Sequence, residues 1–197
     1  MNTIFTIGHS QHPMKHFIEL LNMHNINYVI DVRSTPYSKY AQEYDRENIK
    51  NILKQNNIEY CFMGKSFGAR QDDRTLYTTS GYLDFEKVAM ADKFNVALSS
   101  VKRGMENNNI ALMCLEKAPI DCHRAILVGN AFYRANCNVE HILEDGILKN
   151  HDQLNLELLD LYFPDRNQIS FFGNKSEDEY LKDAYKLRNK EVGYHIE

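Results

Sequence analysis

The sequence predicts a single α/β domain built on a mostly parallel, Rossmann-like sheet with helices on both faces. Three observations carry that expectation. Short β-branched apolar runs alternate with longer segments of helical period. Such alternation implies β-α-β crossovers, which align the strands in parallel. The polar clusters also fall at one end of the predicted strands, where sheets of this kind bind ligands. "GHS" follows the first strand, "DVRS" ends the second, "GKSFGAR" follows the third and "CLEK" ends the fourth.

The elements follow in order. "TIFTIG", Thr3 to Gly8, is a short buried strand closed by glycine. "PMKHFIELLNMHN" is a helix with Phe17, Leu20, Leu21 and His24 on one face, and Pro13 suits its first turn. "NYVIDVRS" is the second strand. "DRENIKNILKQNN" is a helix with Asp45 as N-cap, and "IEYCFMG" is the third strand. A polar, glycine-bearing loop from Lys65 to Tyr82 follows, and loops of that length are usually functional or mobile. "LDFEKVAMADKFNVALSSVKRGMEN" is helical with a break near Asp92. "NIALMCLE" is the fourth strand, and a helix from Asp121 to Asn136 follows it. "NVEHIL" is the fifth strand, and "HDQLNLELLDLYF" is the last core helix, stopped by Pro164. Residues 1–163 are expected to be the α/β domain. Residues 164–197, charged and helical in pattern, are expected to be a peripheral extension.

Composition narrows the function classes. A chain of 197 residues with 43% hydrophobic and 25% charged residues can bury a core without staples. The net charge of −4 argues against a broad nucleic-acid coat and leaves a local basic pocket open. No apolar run approaches the ~20 residues of a membrane span, so no membrane partner is expected. "MNTIFTIGHSQH" has no basic stretch followed by a long apolar one, and four cysteines do not make a secreted disulfide framework. The expectation is a cytoplasmic protein with reduced thiols. Nothing in the pattern fixes an oligomeric state.

Four ordered motifs, "TIGHS", "IDVRSTPYS", "MGKSFGAR" and "LMCLEKAPIDCHR", resemble the domain of unknown function 488 family over Thr3 to Leu143. Phe67 stands where a leucine is usual. The resemblance implies a compact α/β fold and supplies no reaction, so the chemistry has to come from the residues.

Cys122, expected near the first turn of the helix with Asp121 as N-cap, sits beside His123 and Arg124. A thiol there should have a lowered pKa and could be a nucleophile or a ligand hydrogen-bond donor. Cys114 at the end of a buried strand reads more readily as packing. Zinc held by Cys114, Cys122, His123 and His9 is disfavoured, because C-x7-C-H is not a zinc-knuckle spacing and adjacent helical residues point ~100° apart. Arg33, Arg70 and Arg124 suit a phosphate or carboxylate, as does a helix N-terminus. The competing reading pairs Arg33 with Asp31 and Arg124 with Glu116. Glu116 and Asp31 could divide acid and base work, and His9 or His123 could move a proton. Ser10 and Ser34 could bind phosphate, but neither lies in a G-x-S-x-G elbow.

"GKS" at Gly64 to Ser66 is not a P-loop, because Glu59 occupies the position of the first glycine. A G-x-G-x-x-G fingerprint is missing after the first strand. Tyr37, Tyr40 and Tyr44 could stack on a ring, although such tyrosines more often roof the core. The reading is therefore an enzyme acting on a phosphate-bearing small molecule, nucleotide or nucleic-acid end. Glu116, Cys122, His9 and Asp31 are its candidate catalytic residues. Ser10, Arg33, Ser34, Arg70, His123 and Arg124 are its candidate binding residues. No cofactor and no metal are assigned. A non-catalytic nucleotide or nucleic-acid binding module is the alternative, and a metalloprotein a third.

Overall fold

The computed structural model describes residues 2–10, 12–168 and 175–196. They form a single α/β domain around one mostly parallel sheet with helices on both faces. Strands β1 (Thr3–Gly8), β2 (Tyr28–Asp31), β3 (Glu59–Phe62), β4 (Ile110–Cys114) and β5 (Asn138–Ile142) pair in parallel. β6 (Leu148–Asn150) adds an antiparallel edge to β5, giving the order β3-β2-β4-β1-β5-β6. β6 escapes the periodicity reading because it is only three residues long and half exposed. Its one sequence signal is the turn Asp145–Gly146, where Gly146 takes φ +82° as a tight hairpin requires.

Burial on both faces makes the central strands continuous apolar runs, and their period of two sorts the core. Ala111 and Met113 of β4 pack with Phe17 and Leu21 of α1 (Met14–Met23) and with Leu53 of α2 (Arg46–Gln55). Ile110, Leu112 and Cys114 point the other way, into the larger core. Phe67 of α3 (Gly64–Phe67), Val88 of α4 (Phe85–Met90), Phe94 of α5 (Asp92–Gly104) and Phe132 of α6 (Asn130–Arg134) share that core. So do Leu154 and Leu158 of α7 (His151–Tyr162) and Ala184 and Tyr185 of α8 (Glu177–Val192). None of the described helices is long and apolar enough to cross a membrane.

Three local expectations change. Asp45 stands at the start of α2, but its carboxylate accepts from the Ser38 amide at 2.8 Å rather than capping the helix. The stretch from Lys65 to Tyr82 is not structureless: it contains α3 and a 3-10 turn at Arg74–Leu76. The helix expected over Asp121 to Asn136 is three pieces: a 3-10 turn at Pro119–Asp121, a π-helical turn at Arg124–Gly129, then α6. Asp121 does not cap it and pairs instead with Arg188 of α8. Cys122 takes the capping position. Its backbone is extended (φ −135°), its carbonyl accepts from Ala125 and Ile126, and its sulfur accepts from the Arg124 amide at 3.4 Å.

A buried polar chain crosses the larger core from sheet to α8. Thr6 donates to His141 Nδ1 at 2.8 Å, and His141 Nε2 meets His151 Nδ1 at 3.1 Å. His151 Nε2 donates to the Tyr185 hydroxyl at 2.9 Å, and that hydroxyl donates to Asn155 at 2.7 Å. The donors run in one direction with both imidazoles neutral, and protonating both would set two N–H groups face to face at the His141–His151 contact. Burial pushes His151 down to about 4 and holds His141 well below the usual histidine range. A histidine depressed in the folded state is protonated first in the unfolded chain. Stability is therefore full above about pH 6.5 and falls as the pH drops toward 4. Urea unfolding at pH 7 and pH 5 should differ by about 2 kcal/mol for each such histidine. Equal stability at the two pH values would contradict the neutral chain.

Candidate functional site

The connection from β1 through α1 to β2 leaves toward one edge of the sheet. The connection from β4 through α6 to β5 leaves toward the other edge over the opposite face. Neighbouring strands whose connections diverge open a crevice at their carboxyl ends, where such sheets bind ligands. Gly8 makes the crevice: a Cβ there would collide with the Glu116 carbonyl, so only glycine lets the chain after β4 cross the end of β1. The amides of His9 and Ser10 then donate to Cys114 and Leu115 carbonyls at 2.9 and 2.7 Å. Ser10 adopts φ +46° to do so.

A cavity of about 320 Å³ opens at this point. His9, Arg33, Ser34, Arg70, Glu116 and His123 all line it. Tyr37 and Tyr194 add aromatic walls. Arg70 stacks on the Tyr194 ring, its guanidinium carbon 4.6 Å from the ring centroid, while its amide donates to Ser34 Oγ at 2.8 Å. Ser10, Asp31, Cys122 and Arg124 do not line the cavity, and Cys122 lies behind the lining residues Cys114, Glu116 and His123. Tyr44 is buried and stacks on His9 at 4.1 Å, whereas Tyr40 is exposed.

Arg33 and Asp31 form a buried pair beneath the cavity. Asp31 Oδ1 accepts from the Arg33 amide at 3.0 Å and Nε at 2.9 Å, and Oδ2 accepts from Arg33 NH2 at 2.6 Å and Tyr60 at 2.8 Å. Both Asp31 oxygens are thereby engaged. Arg33 NH1 donates to His9 Nε2 at 3.1 Å, and His9 Nδ1 donates to the Ser10 carbonyl at 2.7 Å. Burial and the Arg33 charge lower His9 to about 3, so its ring is neutral with both nitrogens occupied. Arg124 is fully buried, and its guanidinium turns inward to the carbonyls of Glu116 and Lys117. It shapes the turn from beneath rather than reaching the cavity.

At the bottom of the cavity Cys114, Glu116 and His123 line it and Cys122 sits just beneath them; the candidate ligand atoms of the four all lie within 4.8 Å of one another. Such a set could hold a ligand or a metal ion. Cys114 donates to Glu116 Oε2 at 3.1 Å, and Cys122 Sγ is hydrogen-bonded to the same oxygen at 2.8 Å. His123 Nε2 donates to the Val32 carbonyl at 3.0 Å, which turns Nδ1 toward Cys114 Sγ at 3.6 Å. Burial and the Cys122 charge raise Glu116 above the usual carboxylate range. Burial also raises Cys114, with Cys122 adding to it. Burial opposes ionisation of Cys122, but the Cys114 thiol, Arg124 and His123 outweigh it and bring Cys122 well down. Burial likewise opposes protonation of His123, and Cys122 and Glu116 outweigh it.

Cys114, which the sequence reads as packing, and Tyr194, which no motif singles out, both join the site. For Cys114 a signal existed: residues i and i+2 of an extended strand share a face, so Cys114 and Glu116 point together. Tyr194 arrives only through tertiary pairing. The Leu83 amide donates to the Tyr194 carbonyl at 2.9 Å and the Ile196 amide to Gly81 at 2.9 Å, which lays the C-terminal residues against the loop before α4.

No curated protein and no solved structure matches the chain. The family model described as "Domain of unknown function DUF488" matches residues 13–130, from the foot of α1 to the start of α6. That stretch is more than half of the chain and includes β2, β4 and the whole Cys/Glu/His cluster, so the protein belongs to the DUF488 family.

Proposed function

We propose that the protein is an enzyme acting on a small phosphate-bearing molecule or nucleotide seated in the cavity at the carboxyl ends of β1 and β4. One observation carries the reading: a single cavity has an arginine and hydroxyl wall on one side and a cluster of ionisable groups on its floor. Arg70 and Ser34 would hold the anion, with guanidinium geometry suited to phosphate. Tyr194 and Tyr37 would flank the remainder of the ligand. Glu116 is the candidate proton-transfer group, and Cys122 with His123 the candidate for nucleophilic work. Asp31, through Arg33, and Arg124, through the Glu116 carbonyl, are positioning residues. The cavity lies at the low end of ligand-pocket sizes, which favours a small phosphate or the terminal residue of a nucleic acid over a long strand. The four cysteines are free, and the cytoplasm would keep them reduced.

A thermal-shift screen of inorganic phosphate, sugar phosphates and mononucleotides tests this on wild type and Arg70→Ala in parallel. A ligand at ~100 times its dissociation constant adds about 2.7 kcal/mol of stability. Losing a charge-assisted hydrogen bond costs about 1.5–3 kcal/mol, so Arg70→Ala should bind roughly ten-fold or more weakly. No stabilisation of the wild type, or equal stabilisation of both proteins, would contradict the proposal. Glu116→Gln then separates catalysis from binding: an enzyme keeps its ligand and loses turnover.

A further inference from the structure

We infer that Cys114, Cys122, His123 and Glu116 bind a divalent, thiol-seeking metal ion of the zinc class at the floor of the cavity. This goes beyond the anion reading: anion binding by Arg70 and Ser34 does not depend on it, but with the ion bound Cys122 and Glu116 act as ligands rather than as nucleophile and proton-transfer group. The first support is geometric. Zinc bonds of about 2.3 Å to sulfur and about 2.0–2.2 Å to nitrogen or oxygen give tetrahedral edges of roughly 3.3–3.8 Å. The cluster already approaches those edges, with 3.6 Å from Cys114 Sγ to His123 Nδ1 and 3.1 Å from Cys114 Sγ to Glu116 Oε2. To complete the set, Cys122 Sγ and Glu116 Oε2, now 2.8 Å apart, would open, and the widest pair, within 4.8 Å, would close by up to about an ångström.

The sequence objection to a metal dissolves for a structural reason. Cys122 and His123 do not sit on a regular helix. Cys122 is extended and His123 begins the helical turn, so the two side chains converge instead of diverging. The surroundings are also those that hold metal ligands in place. His123 Nε2 is fixed on the Val32 carbonyl, leaving Nδ1 for coordination, and the Arg124 amide donates to Cys122 Sγ.

Charge gives an independent argument. Arg124 is completely buried, and among the described residues it pairs with no carboxylate within ion-pair distance. Its Nε has no hydrogen-bond partner there. Buried charges are normally paired. A divalent ion with two thiolates, one carboxylate and a neutral imidazole carries one net negative charge, which matches the guanidinium. Cys114, Glu116 and His123 border the cavity, so an ion has an entry path. Glu116, the half-exposed member, is the ligand best placed to yield its position to a cavity ligand.

The test is a Co²⁺ titration of the reduced, chelator-treated full chain, followed by near-ultraviolet and visible absorption. Wild type should take up one equivalent with a thiolate-to-cobalt band, and Zn²⁺ should displace it. Loss of an outer-shell partner alone weakens metal sites about 10–100-fold, so Cys114→Ser and Cys122→Ser should each weaken Co²⁺ by more than that and halve the band. Glu116→Gln should keep the thiolate band and shift the visible spectrum. Wild type with no thiolate-to-cobalt band, or a band untouched by either cysteine variant, overturns the inference. Because the readout is on the wild type first, misfolding of a variant cannot rescue it. Phosphate stabilisation lost in Arg70→Ala belongs to the anion reading and can succeed or fail separately.

Discussion

Asp31→Ala is expected to destabilise the protein by about 3–5 kcal/mol, the usual cost of removing one partner from a buried ion pair. The side chain of Asp31 is fully buried and Arg33 is nearly so. The substitution strands the guanidinium, which keeps only the Tyr44 carbonyl, accepting from NH2 at 2.8 Å, and neutral His9. Tyr60 loses its acceptor in the same step. Chemical unfolding measures the loss. Replacing Asp31 and Arg33 together by apolar residues should restore much of it, because the penalty comes from the unpaired charge and not from the missing contact. A single variant as stable as wild type would mean that Arg33 escapes to solvent through the cavity.

Arg124→Ala should be as costly, again about 3–5 kcal/mol, through a large cavity and two released carbonyls. For a chain of this size that lowers the melting temperature by about 6–20 °C. Arg124→Lys should not rescue it, because a point charge cannot span the carbonyls of Glu116 and Lys117 as the planar fork does. Melting curves of the three proteins decide it. A stable Arg124→Ala with weakened phosphate binding would instead return Arg124 to the cavity wall.

These two arginines show where the sequence was legible and where it was not. Alternation of short apolar runs with helical segments exposes the sheet, and the rule for strand ends places His9, Arg33, Ser34, Arg70, Glu116 and His123 near one cavity, while Ser10, Asp31, Cys122 and Arg124, expected in the same cleft, do not line it. A residue's place at a strand end does not say which way its side chain turns. Arg33 follows β2 and folds back on Asp31, two residues away. Arg124 points under the turn because the chain at Cys122 is extended, a local departure that helical spacing conceals. The same departure hid the cluster, since the ~100° argument against a shared metal assumed a regular helix. The aromatic wall at Tyr194 could not be read locally, because its placement depends on backbone pairing with Leu83.

The proposed ligand site is the cavity at the carboxyl ends of β1 and β4. The most direct measurement is a backbone amide NMR titration of the full chain with inorganic phosphate. Perturbations are predicted at Ser34, Thr35 and Arg70 on the wall and at Glu116 on the floor. Perturbations gathered instead around the cavity of about 220 Å³ bordered by Tyr82, Asn130 and Tyr185, or none at all, would contradict it.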